Sequence, residues 1–400
     1  MLQLKDTRFS NTNDFLKHAI ATATFYGFAP LERVAQERRK APRETPRPTM
    51  NTVRESELLI ARRDERALLS AARLCTSANL GSREAIFAWR VLGSAARGTA
   101  PSTALELHIL GIPSAIAEAI LITVANSIIG EAGMTNRTVS INSIGTPDSS
   151  NRYIRDVGSF LRKHIESISP ALRPRAAEDP LGTLIQLIER GHPAASRAPQ
   201  SMEYLTEEER RRFWDLLEYL EVAGTPYELN AHILGSRDLW AHTLFDISWR
   251  DEESGTRIPI ARGGRYDPLV SRFLGTSSSG ASVTIMCEAR GRPNMRRLAE
   301  EGEDRAFYFA HLGPEARRKM IPTLEMLRRE EILVHQSLMY ERIGEQMAAA
   351  RRLNTPYILI MGHKEAVENT VLVREIATNS QRAVLVDELP GYLKRHKIRI

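Results

Sequence analysis

Apolar positions along the chain change their spacing four times, and each change predicts a different kind of element. Leu16, Ile20 and Ala23 fall on one face of a helical repeat that Asp14 is placed to cap, ending at Tyr26-Gly27-Phe28. The run Arg38-Arg39-Lys40-Ala41-Pro42-Arg43-Glu44-Thr45-Pro46-Arg47-Pro48 holds three prolines among charges and predicts an exposed basic tether. Leu, Ala and Arg over 55–76 predict a helix, and Ser114 is placed to cap another, through residue 128, with Ile116, Ile120 and Val124 in line. Residues 138–144 alternate Val139, Ile141 and Ile144 against Ser140, Asn142 and Ser143, the pattern of a strand with one wet face. Helices follow near 148–167 and 180–190, their bases reading as solvated faces. Thr206 with Glu209 then forms a capping-box pattern before Phe213, Leu217 and Leu220.

From 227 to 287 the segments are short and rich in β-branched and aromatic residues. Glu253-Ser254-Gly255 and Gly263-Gly264 separate them as turn signals, which predicts an antiparallel sheet. Beyond about residue 303 strands and helices alternate, with strands at 306–310, 332–334, 357–361 and 370–374, helices at 314–329 and 340–353, and a last helix at 387–394. The continuous apolar run Ile358-Leu359-Ile360-Met361 predicts a parallel-type sheet covered on both faces. The fold class is therefore an α+β domain over 1–302, an antiparallel sheet with flanking helices, followed by a small α/β domain over 303–400.

Bulk properties narrow the class without deciding the function. Four hundred residues with 42% apolar content suit two soluble domains, and disordered or fibrous classes are excluded. A net charge of +6 leans toward nucleic-acid or nucleotide partners. Cys75 and Cys287 provide neither a disulfide framework nor zinc-ligand spacing, so no metal site is expected. Residues 1–10 contain no apolar stretch of a signal peptide, and the longest apolar run, 115–125, holds Glu118 and is too short to span a bilayer. A cytoplasmic protein with no membrane partner is the expectation.

Several segments resemble the class II histidyl-tRNA synthetases. Ala261-Arg262-Gly263-Gly264-Arg265-Tyr266-Asp267 is similar to their Gly-Gly-Arg-Tyr-Asp turn, whose glycines let backbone approach a ligand. About twenty residues earlier, the stretch from Gly235-Ser236-Arg237-Asp238-Leu239-Trp240 to Thr243-Leu244-Phe245-Asp246 resembles their Arg-Gly-Leu-Asp-Tyr-Tyr signature and the strand after it. Tyr357-Ile358-Leu359-Ile360-Met361-Gly362, Asn369-Thr370-Val371-Leu372-Val373-Arg374-Glu375 and Asp387-Glu388-Leu389 resemble the anticodon-binding domain of the same enzymes. The likeness is close from residue 139 onward and poor between 33 and 138. It implies a class II synthetase-like core with a helical insertion around 148–223, a homodimer, and an anticodon-binding-type α/β domain. It also implies tRNA contact by Arg374, Glu375, Asn379 and Gln381.

Adenylate formation in that family joins two anions, so its site needs fixed arginines together with ATP and Mg2+. Here the corresponding positions are changed. In Glu106-Leu107-His108-Ile109 the family's glutamine is Ile109, and Pro113 replaces a glutamate that binds the substrate amino group. Counting back to the motif 2 arginine reaches Ser94, Ala95 and Ala96, with Arg97 close by. Gly235 stands where a second catalytic arginine would be, with Arg237 two positions on, and the ATP-stacking arginine is Ala289 or has slipped to Arg290. The remaining pocket candidates are Glu106, His108, Trp240, Gly263, Gly264, Arg265 and Tyr266.

The sequence therefore predicts a synthetase-like protein that is catalytically inactive and acts as a tRNA-binding or regulatory paralogue, with a protein partner if regulatory. The competing reading is an active histidine–tRNA ligase using ATP and Mg2+ through displaced arginines, Arg90, Arg97, Arg237 and Arg290. A third, ligation of another acid, requires Ile109, Pro113 and Trp240 to line one apolar pocket.

Overall fold

The structure, a computed structural model, describes residues 1–40, 85–94, 102–251, 255–289, 305–338 and 340–397. Eight strands form the first sheet: β1 (Ala29–Pro30), β2 (Ile86–Ser94), β3 (Ser102–Leu110), β4 (Arg137–Gly145), β5 (Tyr227–Leu229), β6 (Ala241–Arg250), β7 (Arg257–Arg265) and β8 (Gly280–Glu288). Their order is β1-β2-β3-β8-β7-β6-β4-β5, antiparallel except for the two edge pairs. The second sheet has the order β10-β9-β11-β12-β13. Its strands are β9 (Phe307–His311), β10 (Val334–Gln336), β11 (Tyr357–Met361), β12 (Thr370–Glu375) and β13 (Gln381–Leu385).

The first sheet divides sharply by face. On one side Phe87, Leu107, Ile109, Val283, Phe245 and Ile141 share a core with helices α1 (Thr12–Phe25) and α3 (Ile116–Glu131). That core runs on into the second sheet through Phe307, Leu324 and Leu359. Helix α3 is apolar almost all round and buried along its length, as a helix enclosed by protein on every side must be. The opposite face is covered by α2 (Leu31–Lys40), α4 (Pro147–Lys163), α5 (Arg173–Glu178), α6 (Pro180–Glu189) and α8 (Asp267–Leu274), whose apolar residues form a second core around Tyr153, Leu184, Trp240 and Tyr266. Helix α7 (Glu207–Val222) starts with the predicted capping box between Thr206 and Glu209.

Several expectations are corrected. Asn11, not Asp14, caps α1, accepting from the Asp14 amide. Ser114 caps nothing; its carbonyl accepts from Arg265. Residues 38–40 continue α2 rather than beginning a loop, and the predicted helix at 55–76 lies outside the described residues. The polar side of β4 is not wet: Ser140, Asn142 and Ser143 are all buried, with Asn142 donating to the Ile233 carbonyl at 2.9 Å. Gly263 and Gly264 lie inside β7, not in a turn. The second sheet is mixed: β10, β9 and β11 are parallel, whereas β12 and β13 run antiparallel, and β13 had no strand signal because three of its first four side chains are exposed and polar or small. Helices α9 (Pro314–Arg329), α10 (Ile343–Arg352), α11 (His363–Glu368) and α12 (Leu389–Lys397) flank it. Among the described residues, no helix is long and apolar enough to cross a membrane.

One fully buried charge interrupts the apolar surface of α3. Glu118 is fully buried and accepts from Arg265 at 2.7 and 3.1 Å and from Arg212 at 2.7 Å. Burial alone would raise this carboxyl, but Arg212 and Arg265 outweigh it and hold it down at about 2. A folded-state pKa depressed below the unfolded value gives stability that is fully present above about pH 4.5 and lost as pH falls toward 2. Glu118→Ala removes the closer carboxylate of the fully buried Arg265, leaving it only Asp267, and is expected to cost ~3–5 kcal/mol. In denaturant melts taken between pH 7 and pH 2, the wild-type protein should lose stability through that acid window, and the variant should lose measurably less.

Candidate functional site

Strand alternation separates the predicted pocket residues. Gly263 and Arg265 point to the α3 side of the sheet, while Glu106, His108 and Gly264 point to the other. The paired glycines answer to close neighbours on adjacent strands. A Cβ at Gly263 would come within 2.4 Å of the Phe245 ring and of the Ser282 carbonyl oxygen, and one at Gly264 within 2.5 Å of the Thr243 carbonyl oxygen and 2.9 Å of Leu244 Cδ2. Each glycine therefore admits a close-packed neighbour on its own face, and neither is needed for a turn.

Arg265 is fully committed. Besides Glu118 it donates to the carbonyls of Ile112 and Ser114, both at 3.0 Å, and to Asp267 at 3.2 Å. Asp267 in turn accepts from the Gly280 amide at 2.8 Å. The Gly-Gly-Arg-Tyr-Asp segment thus ties β7, the 111–115 loop, α3 and α8 together. Its tyrosine reaches the other face, where Tyr266 Oη lies 3.1 Å from His108 Nδ1. His108 Nε2 lies 3.5 Å from Glu106 Oε2, and Glu106 Oε1 is buried with no hydrogen-bond partner among the described residues.

Registers extend this face into a polar row across the sheet. Arg90 on β2 is opposite Glu106 on β3, which is opposite Thr284 on β8. Thr284 is opposite Arg262 on β7, Arg262 is opposite Asp246 on β6, and Asp246 is opposite Ser140 on β4. Arg262 Nε approaches Asp246 at 3.6 Å, and its Nη2 donates to the Leu234 carbonyl at 2.7 Å. Arg90 Nε approaches Glu32 at 3.7 Å.

Beyond the strand ends lies an open cleft of about 1190 Å³, lined by Pro113 to Ala115, the first turns of α4 and α7, Arg212, Arg237, His242 and Asp267. Arg237 donates to Asn151 across it. His242 holds a left-handed backbone (φ 53°), and burial, followed by the charges of Arg212 and Arg265, pushes its imidazole down to about 4, so it is neutral at pH 7.

Trp240 packs in the apolar core with Tyr266, over Gly235: a Cβ there would lie 2.5 Å from Trp240 Cδ1. Ile109 belongs to the α3 core on the opposite face. The apolar pocket shared by Ile109, Pro113 and Trp240 therefore does not exist. Arg97 and Arg290 lie outside the described residues. Among the described arginines of this region, Arg265 is saturated by protein, Arg262 faces Asp246, and Arg237 is held by Asn151. Arg152 and Arg155 also line the cleft, both exposed.

In the second sheet the predicted tRNA contacts do come together. Arg374 and Gln381 are register partners across the β12–β13 hairpin, Arg374 donates to Asn379 Oδ1, and Glu375 accepts from Thr378 Oγ1 at 2.6 Å. Asn379 and Gln381 are exposed, and Asn379 takes the left-handed conformation (φ 57°) that closes the hairpin.

Glu118, Arg212 and the Arg262–Asp246 pair escaped sequence reasoning. Glu118 had a signal, since a lone carboxylate within an apolar helix requires a buried cation. Arg212 and Asp246 had none, because their meaning depends on which strand ends meet.

Comparison with known proteins agrees with this architecture. Residues 311–396 match the anticodon binding domain family. The histidine–tRNA ligase of Bacillus licheniformis is 28% identical over 281 residues, 69% of this chain and 66% of that enzyme. The Bacillus subtilis enzyme is 28% identical over 295 residues, covering 73% and 69%. The chain thus aligns with about two thirds of the length of the curated relatives it matches. Among solved structures, apo histidyl-tRNA synthetase from S. aureus is similar with a TM-score of 0.44 and 20% identity, covering 82% of this chain and 80% of that one. The chain is thus similar to histidine–tRNA ligases over about 70% of its length, and its residues 311–396 match an anticodon binding domain.

Proposed function

We propose that this chain is a catalytically inactive histidyl-tRNA synthetase-like protein that binds tRNA through its second sheet and acts as a binding or regulatory paralogue. Gly235 carries the reading. The resemblance puts an arginine of the activation chemistry there, and the buried Trp240 ring fills the space that any side chain at 235 would enter. Ile109, turned into the α3 core, and the saturated Arg265 support it. A division at 302/303 leaves each sheet whole, with the helices of 148–223 inserted between β4 and β5. A homodimer follows from the class II resemblance.

One observation favours the alternative, an active ligase. Glu106 Oε1, buried opposite Arg90 and unbonded among the described residues, is what a face built for a polar ligand would show. Histidine activation by ATP–Mg2+ would then draw on Arg90, Arg237 and the arginines at 97 and 290.

Pyrophosphate exchange into ATP separates the two readings. Purified protein should show no histidine-stimulated exchange, and stimulation above the no-histidine rate would restore the ligase. Gly235→Arg should not create exchange; instead it should lower the melting stability by ~1–3 kcal/mol, the usual cost of overpacking. An unchanged melt would mean that the tryptophan does not close the site. For the second sheet, Arg374→Ala should weaken histidine-tRNA binding in a filter or calorimetric assay by ~1–3 kcal/mol. Equal binding by variant and wild type would remove the anticodon-side contact.

A further inference from the structure

A second cavity, of about 140 Å³, lies where the two sheets' helices meet, between α3, the segment after α7, and α9. At about 30 Å³ per water it has room for roughly four or five waters, enough for a small ion with part of its hydration. Thr123 and Arg137 line it from the first unit, and Pro322, Glu325 and Arg329 from the second.

Its electrostatics are unbalanced. Glu325 is fully occupied: it accepts from Tyr26 Oη at 2.8 Å, Ser127 Oγ at 2.9 Å, Arg328 at 2.8 Å and Arg329 Nε at 3.1 Å. Glu131, the nearest other carboxylate of this network, is taken by Arg328 and by His18 at 2.7 Å. Arg137 has only neutral partners, donating from Nε to Asn126 Oδ1 at 2.6 Å and from Nη1 to the Met134 carbonyl at 3.2 Å. Among the described residues no carboxylate pairs with it, and its Nη2 has no acceptor. Gly130 opens the space for its head, since a Cβ there would meet Arg137 Cζ at 2.7 Å.

Thr123 adds an independent sign. It is 6% exposed, and its Oγ1 is buried with no hydrogen-bond partner among the described residues. A half-buried guanidinium without a counter-charge and an unsatisfied buried hydroxyl are each costly. A ligand with two or more acceptor oxygens would satisfy both. Burial and the neighbouring charge of Arg329 already depress the Arg137 pKa, and an anion would reverse that pressure.

We propose that this junction is a binding site for a small free oxyanion of the phosphate type, held by Arg137 Nη2 and Thr123 Oγ1, with Arg329 at its mouth. The ion would bridge α3 and α9 and so tighten the docking of the anticodon-binding domain on the core. The assignment does not depend on whether the protein activates histidine.

The test is a thermal melt of the full chain, titrated with inorganic phosphate against chloride at constant ionic strength. Phosphate should raise the melting temperature by ~2–4 °C at saturation. Arg137→Gln should abolish that shift, and Thr123→Val should weaken the apparent phosphate affinity by about tenfold, roughly the loss of one charge-assisted hydrogen bond. If Arg137→Gln does not fold, the Thr123→Val comparison decides. Absence of a phosphate shift in the wild type, or the same shift in wild type and variants, overturns the site. An equal Arg137-dependent shift from a phosphodiester dinucleotide would assign the pocket to a nucleic-acid backbone and overturn the free-ion assignment.

Discussion

The ion pair between Arg265 and Glu118 is the constraint on which the rest of the first unit depends. Helix α3 is buried along nearly all its length, so Glu118 in its first turn has no water to solvate it and must find cations within the protein. Arg265 comes from the last residue of β7 and Arg212 from α7, so satisfying Glu118 fixes three elements at once. The two carbonyls that Arg265 also holds shape the loop between β3 and α3. The walls of the large cleft are therefore positioned by a single buried carboxylate. Hydrophobic contact alone would let these elements slide, whereas a planar guanidinium with every donor engaged does not.

This arrangement explains why the segment most easily recognised in the sequence is the end of a strand and not a turn. Gly263, Gly264, Arg265 and Asp267 are all used by the fold: the glycines by Phe245 and Leu244, the arginine by Glu118, and the aspartate by the Gly280 amide. The motif was legible because its residue types are unusual. Its role was not, since strand alternation sends Arg265 and His108 to opposite faces, and alternation becomes visible only once β7 is known to continue through both glycines.

Legibility elsewhere follows the same physics. Local chemistry was readable: the Thr206–Glu209 capping box, the run at β11 and the helix of Pro314–Arg329 stand as expected. Edge strands were not, because β13 has little to bury and so carries no alternation. The buried polar face of β4 misled for a related reason. Ser140 and Asn142 look wet in sequence, and only the register shows that Ser140 continues a row running back through Asp246, Arg262 and Thr284 to Glu106.

That row bears on how a synthetase core loses its chemistry while keeping its shape. An arginine such as Arg265, whose partners are protein, cannot be replaced without stranding Glu118 in the core. An arginine whose main partner is a substrate leaves no buried charge behind when it goes, and an adjacent ring can move into the space. On the proposed reading, Gly235 beneath Trp240 records the second kind of loss, and the intact Arg265–Glu118 pair records why the first kind has not followed. Glu106 lies between these cases, buried like a structural residue yet with one oxygen unspent. The cost of that oxygen falls on the fold whether or not a ligand ever arrives, and on the active-ligase reading it is the point at which a polar ligand would offset that cost.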